Sequence, residues 1–276
     1  MSQLNLAVWA LWESLKDFHR RRLWPPFLVL GIAQLLLVLA LTQFHLPLFS
    51  WAFVPFLRKT FGEAVLHYPI FFLALPDLFS RINMFMDYLL GCLTLGVAAL
   101  IIWRSASHER SGQPWSEASK RYASLLLGRT PAFALILLMS YGLPILFSAQ
   151  GEDAPGSQVR AVRYGGFLIG VLIESLFVYT PIMLLVEKKK LFDALRSAVR
   201  LTMKVPVATF LFVMLPNLVQ IPLSVALRRA DVVMNNLSPE MVAVMVMFTI
   251  AAYIVVNYFM VASAVRVYGA RGEVKS

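Results

Sequence analysis

Six apolar runs dominate the sequence, at about residues 24–43, 83–103, 130–149, 165–186, 206–226 and 241–265, and none contains a Lys or Arg. A bilayer core about 30 Å thick is crossed by about 20 apolar residues of helix. Helix is also the form in which a single segment satisfies its own backbone groups in hydrocarbon. The chain as a whole has too few polar residues to surface soluble domains of this length. Of the 276 residues 59% are apolar and 14% charged, against about 45–50% and about 25% in soluble proteins. The expected fold is therefore all-α: one polytopic membrane domain over 1–276 with six transmembrane helices.

The charges orient it. The net charge is +10, and 18 of the 25 Lys and Arg fall in the N-terminal stretch, the loops after spans 2 and 4, and the C-terminal stretch. Arg104, Arg110, Lys120, Arg121 and Arg129 make up the loop after span 2. Basic excess marks the cytoplasmic side, so both termini are expected there. The same excess suits anionic lipid headgroups, and nucleic acid is not an expected partner. Residues 44–82 carry ten aromatics and break at Pro69 and Pro76. They read as an interfacial insertion on the outer face, since aromatic rings favour the headgroup level. No cleavable signal is expected ahead of the first run. A lone cysteine, Cys92, excludes an intrachain disulfide.

Three stretches repeat a spacing: Glu13, Lys16 and Pro26; Glu117, Lys120 and Pro131; Asp193, Arg196 and Pro206. An acid and a base three apart share a helix face and can pair, and a proline fits the first turn of the span that follows. Each stretch is amphipathic with helical period, as in Leu4, Val8, Leu11, Leu15 and Phe18, or Phe192, Leu195, Val199 and Met203. Such helices lie in the headgroup plane. The architecture expected is three cytoplasmic interfacial helices in a threefold repeat of amphipathic helix, span, span, over about 2–103, 114–186 and 190–266.

Residues 180–202 run from Thr-Pro-Ile-Met through Glu187 to Ala194-Leu-Arg-Ser-Ala-Val-Arg-Leu-Thr202. This resembles the YciC-like family of bacterial inner-membrane proteins. It is more distantly similar to the membrane domain of some glycerophosphodiester phosphodiesterases. Leu237-Ser-Pro-Glu240 before span 6 is similar as well. The resemblance implies the fold and the bacterial inner membrane, and carries over no catalytic residue.

Soluble-enzyme motifs are missing: there is no phosphate-binding glycine loop and no nucleophile elbow. His19, His45, His67 and His108 are isolated, so neither a metal nor a cofactor is expected. Polar residues inside spans each need a reason, because a charge at the bilayer centre costs on the order of 3 kcal/mol. Glu174 is placed near the midplane of span 4, Asp87 nearer the outer end of span 2, and Asn257 deep in span 6. No intramembrane cation is expected to neutralise the acids. Glu174 then needs a proton, a cavity, or partners such as Asn217, Gln220, Gln34 or Asn257. Pro144 and Pro216 interrupt spans 3 and 5, and Gly166 and Gly170 offer a close helix approach.

The leading expectation is a non-enzymatic protein that binds or organises anionic phospholipid. Lys16, Arg20, Lys120, Arg121, Arg196 and Arg200 would form a headgroup collar on the cytoplasmic face. The alternative is a transporter or permease-like subunit that uses a protonatable Glu174. The sequence names no protein partner.

Overall fold

The structure, a computed structural model, describes residues 2–43, 45–107, 112–142 and 156–272. All regular structure among them is helical. Helix α1 is Gln3–Asp17, α2 Pro25–Thr42 and α3 Pro47–Phe61. A single long helix, α4, covers Phe71–Ser107 with a π-turn at Asp87–Gly91. Next come α5 Pro114–Lys120 and α6 Tyr122–Leu137, the latter running into a second π-turn at Leu138–Gly142. Then follow α7 Gly156–Phe177, α8 Thr180–Leu185, α9 Leu191–Lys204 and α10 Pro206–Asn217. The chain ends with α11 Gln220–Leu227, α12 Ala230–Asn236 and α13 Glu240–Gly272.

Among the described residues five segments are long and apolar enough to cross a membrane: α2, α4, α6, the Gly165–Leu185 stretch of α7 and α8, and α13. The expected fifth span is built in pieces. Its first part, α10, has 12 residues, about 18 Å of helix, and α11 resumes after Leu218 and Val219. The break follows Pro216, as the sequence suggested. Helices α9 and α10 meet at 95°, and counting them together as one bent span gives six.

Two boundaries differ from the sequence reading. Helix α4 begins at Phe71, so residues 71–82 form its first turns and Pro76 is accommodated within it. Burial of Phe71, Leu75, Leu78 and Phe79 outweighs the lost hydrogen bond. Helix α6 begins at Tyr122 rather than near 130, with Arg129 and Pro131 inside it. Pro26 and Pro206 sit in first turns, but Pro131 opens nothing. Of the three acid–base pairs only Glu13–Lys16 forms, at 2.6 Å. Glu117 turns to Arg104 at 2.6 Å, and no ion pair joins Asp193 to Arg196 among the described residues.

Two apolar cores stack along the molecule. The larger joins α1, the start of α2, the second half of α4, α8, α9, α10 and the second half of α13. The smaller joins the end of α2, α3 and the first halves of α4 and α13, with Leu41, Leu57, Leu75 and Val246 fully covered. Helices α4 and α13 thread both. At 37 and 33 residues they are about 55 and 50 Å long, well beyond a 30 Å hydrocarbon core. Small residues set the closest approaches. A side chain at Gly31 would meet Ile254, and one at Gly128 would meet Thr180 and Leu184, so α2 lies against α13 and α6 against α8. Gly166 and Gly170, by contrast, have nothing within 4 Å of a Cβ position.

Helix α1 buries Leu6, Ala7, Ala10 and Ser14, while Leu4, Val8, Trp12 and Leu15 stay exposed. It is latched to α13. Tyr258 donates to the Ser14 carbonyl at 2.9 Å, and Arg266 donates to Ser14 Oγ at 2.9 Å and pairs with Asp17.

Candidate functional site

The site begins with a local irregularity. A π-turn inserts one residue into a helix and often marks a functional position, and the one in α4 starts at Asp87. Its last residue, Gly91, has no Cβ, and a Cβ there would collide with the Asp87 carboxylate. The carboxylate is thus drawn along its own helix toward α6. There Arg129, two turns into α6, forms an ion pair with Asp87 Oδ2. The side chains are only 28% and 15% exposed. From α13, Tyr253 lies beside both Asp87 and Asn257.

Glu174 comes from α7, three residues before the helix ends. Its Oε2 accepts from Asn217 Nδ2 at 3.3 Å, and Gln220 Nε2 donates to Asn217 Oδ1 at 3.3 Å. Asn217 stands at the break between α10 and α11, and its Nδ2 also donates to the Val213 carbonyl of α10 at 3.0 Å. Glu174 lies within electrostatic reach of both Arg129 and Asp87.

These groups meet at a cavity of about 190 Å³. Its polar wall holds Asp87, Arg129, Glu174, Asn257 and Thr180, and the rest is apolar, including Phe133, Phe177, Leu184 and Met260. Two polar atoms there make no hydrogen bond with a described residue: Asp87 Oδ1 and Thr180 Oγ1. Thr180 is 3% exposed. Beside the charges an aromatic wall forms, with Phe133 stacked on Tyr88 at 4.3 Å between centroids and Tyr88 hydrogen-bonded to Thr130 at 2.8 Å. The arrangement can hold a neutral ion pair next to a second carboxyl and leaves room for a small ligand.

Of the expected intramembrane residues, Asp87, Glu174 and Asn257 line this one cavity, and Asn217 holds Glu174. One expectation is overturned: a cation within an apolar helix long enough to span, Arg129, does pair with Asp87. Hydropathy puts Arg129 in a loop because the apolar run without basic residues begins just after it. A signal was present: residues 122–137 form an apolar helix with one charge, and Asp87 stood in need of a counter-charge. Gln34 lies outside the site, fully buried with neither amide atom hydrogen-bonded. Pro144 and His108 lie outside the described residues. No three of the described His, Cys, Asp and Glu cluster as a metal site would.

The basic candidates scatter at the ends of the helices. Lys16 pairs with Glu13, Arg20 with Asp17 at 2.8 Å, and Arg20 also reaches Ser105 at 3.3 Å. Arg121 donates to the Leu184 carbonyl at 2.7 Å, tying α6 to the end of α8. Lys120 is exposed. Arg196 and Arg200 share a shallow basin of about 390 Å³ with Lys189, Lys190, Asp193 and Ser197. Nearby, the Arg104 guanidinium holds the Glu117 carboxyl below the usual carboxylate range. Comparison with family models, curated proteins and solved structures returned no match.

Proposed function

We propose that this is a multi-pass protein of the bacterial inner membrane that carries a small ligand without altering it chemically, coupled to a proton on Glu174. One observation carries the reading: three ionisable side chains from three different spanning segments, Asp87, Arg129 and Glu174, converge on one cavity among the helices. Ionisable groups at such depth are costly and mark ion and substrate pathways. The broken helix that supplies Asn217 fits the same pattern, since interrupted helices put polar groups at binding sites in many carriers. Cytoplasmic termini, YciC-like kinship and the threefold plan belong to this proposal. The 95° bend from α9 to α10 and the exposed Phe192 and Met203 of α9 support α9 as an interfacial helix, with α1 and α5 as its counterparts.

The test is flux. Proteoliposomes holding an internal pH dye are challenged with a panel of small organic anions, cations and zwitterions. A solute-driven pH change that is lost in Glu174→Gln supports the proposal, and silence across the panel contradicts it.

A second reading, binding of anionic phospholipid headgroups, is favoured by the α9 basin, where Lys190, Arg196 and Arg200 stand without an ion-pair partner among the described residues. The other cations of the expected collar are engaged within the chain, apart from Lys120. Native mass spectrometry tests it: one anionic lipid should be enriched over the bulk membrane and lost in a R196E, R200E double variant.

A further inference from the structure

We infer that the cavity takes a small apolar organic cation, a quaternary or protonated amine with an aromatic or alkyl body, in exchange for the proton of Glu174. This rests on the carrier reading above and names its substrate class. The argument starts from charge. Among the described residues three ionisable groups line the cavity wall, two carboxyls and one guanidinium. Asp87 and Arg129 neutralise each other, so an ionised Glu174 leaves one uncompensated negative charge in a mostly apolar space. Burying such a charge is costly unless it is paired. Either a proton on Glu174 or a cationic ligand removes it, and both together leave a positive excess. Binding and protonation are therefore mutually exclusive. The exchange balances: the Glu174 carboxyl gives its proton to water, and the ligand's positive charge takes its place.

The walls point the same way. An anion would face both carboxyl groups, with the Arg129 guanidinium already committed to Asp87. A cation meets the Glu174 carboxylate, with the Asp87–Arg129 pair neutral beside it. Phe133 and Phe177 line the cavity, and aromatic rings attract quaternary ammonium groups. The cavity, at about 190 Å³, falls below the roughly 300–1,000 Å³ of drug-sized pockets, which limits the ligand to about one ring and a headgroup.

The experiment uses the full chain in uncharged detergent, with benzyltrimethylammonium as the probe and benzenesulfonate as its anionic counterpart. Calorimetry in buffers of different ionisation enthalpy counts protons released on binding. The expected result is saturable binding of the cation with up to one proton released per molecule bound. Affinity should rise about tenfold per pH unit wherever Glu174 is protonated in the free protein. Glu174→Gln abolishes the proton release, and Phe133→Leu weakens binding about tenfold with the proton count unchanged. Absence of cation binding, binding with no proton release at any pH, or preference for the sulfonate overturns the inference. A carbodiimide arm separates the two claims, because the reagent modifies a protonated carboxyl in apolar surroundings. Modification of Glu174 without cation binding removes the substrate class and leaves the protonatable site standing. Neither modification nor binding removes both.

Discussion

Asp87 and Arg129, 42 positions apart in the chain, form an ion pair between α4 and α6 at the wall of the cavity. Each residue explains the other. An isolated carboxylate in α4 would need a proton, and an isolated guanidinium in α6 would have no route to neutrality, since arginine does not deprotonate in proteins. Together they form a dipole that can stay inside the bundle, and they leave Glu174 as the group in the cavity free to exchange its charge.

Gly91 is the hinge of that geometry. A methyl group there would press on the Asp87 carboxylate, which is clamped by Arg129 and cannot swing away cheaply. Gly91→Ala should lower stability by about 1–3 kcal/mol, as overpacking does elsewhere. Thermal unfolding in detergent checks this, and an unchanged midpoint would show that the π-turn has room to relax.

Gly170 should behave in the opposite way. Nothing lies within 4 Å of a Cβ at this position, so Gly170→Ala should change stability by no more than about 0.5 kcal/mol. The same unfolding assay decides. A large loss would mean that this face is packed against another surface.

The latch between α1 and α13 depends on Asp17. Its partner Arg266 has a side chain only 9% exposed, and removing one member of a largely buried pair strands the other. Asp17→Ala should cost about 3 kcal/mol, read as a lower unfolding midpoint and as faster proteolysis ahead of residue 20. Normal stability in this variant would mean that the apolar face of Ala7 and Ala10 holds α1 alone.

Acid should loosen the α4–α5 end. The Glu117 carboxyl is held below its ordinary 4.5 by Arg104. A depressed folded value means that the contribution is fully present above the unfolded value and is lost as the pH falls through the folded one. The loss therefore lies below about pH 4.5. Glu117 is 37% exposed, so the effect is small and weakens with salt. Hydrogen exchange of α5 amides against pH should reveal an acid transition that Arg104→Gln removes.

Much of the fold could be read from hydropathy, because covering apolar length is the strongest demand on this chain. The helical class and the approximate number of spans follow from it, as does the break after Pro216. Tertiary pairing was less legible. Hydropathy places Arg129 in a loop, since a window average cannot see a counter-charge on another helix. Likewise, Glu117 pairs with Arg104 rather than Lys120 because α5 packs on the end of α4, which the local three-residue spacing does not encode. The site was half visible. Asp87, Glu174, Asn217 and Asn257 stood out as costly polar groups, whereas their convergence depends on a π-turn that leaves no clear mark in the sequence beyond Gly91.

The most direct measurement is a double-mutant cycle on the central pair. Unfolding in lipid-like detergent is compared for the wild type, Asp87→Asn, Arg129→Gln and the double variant. With the pair enclosed among the helices, each single change should cost about 3–5 kcal/mol. The double variant should lose less than the sum of the two single losses, by a coupling of about 1–3 kcal/mol. Losses that simply add would mean that Asp87 and Arg129 are solvated independently, and the shared intramembrane site would have to be given up.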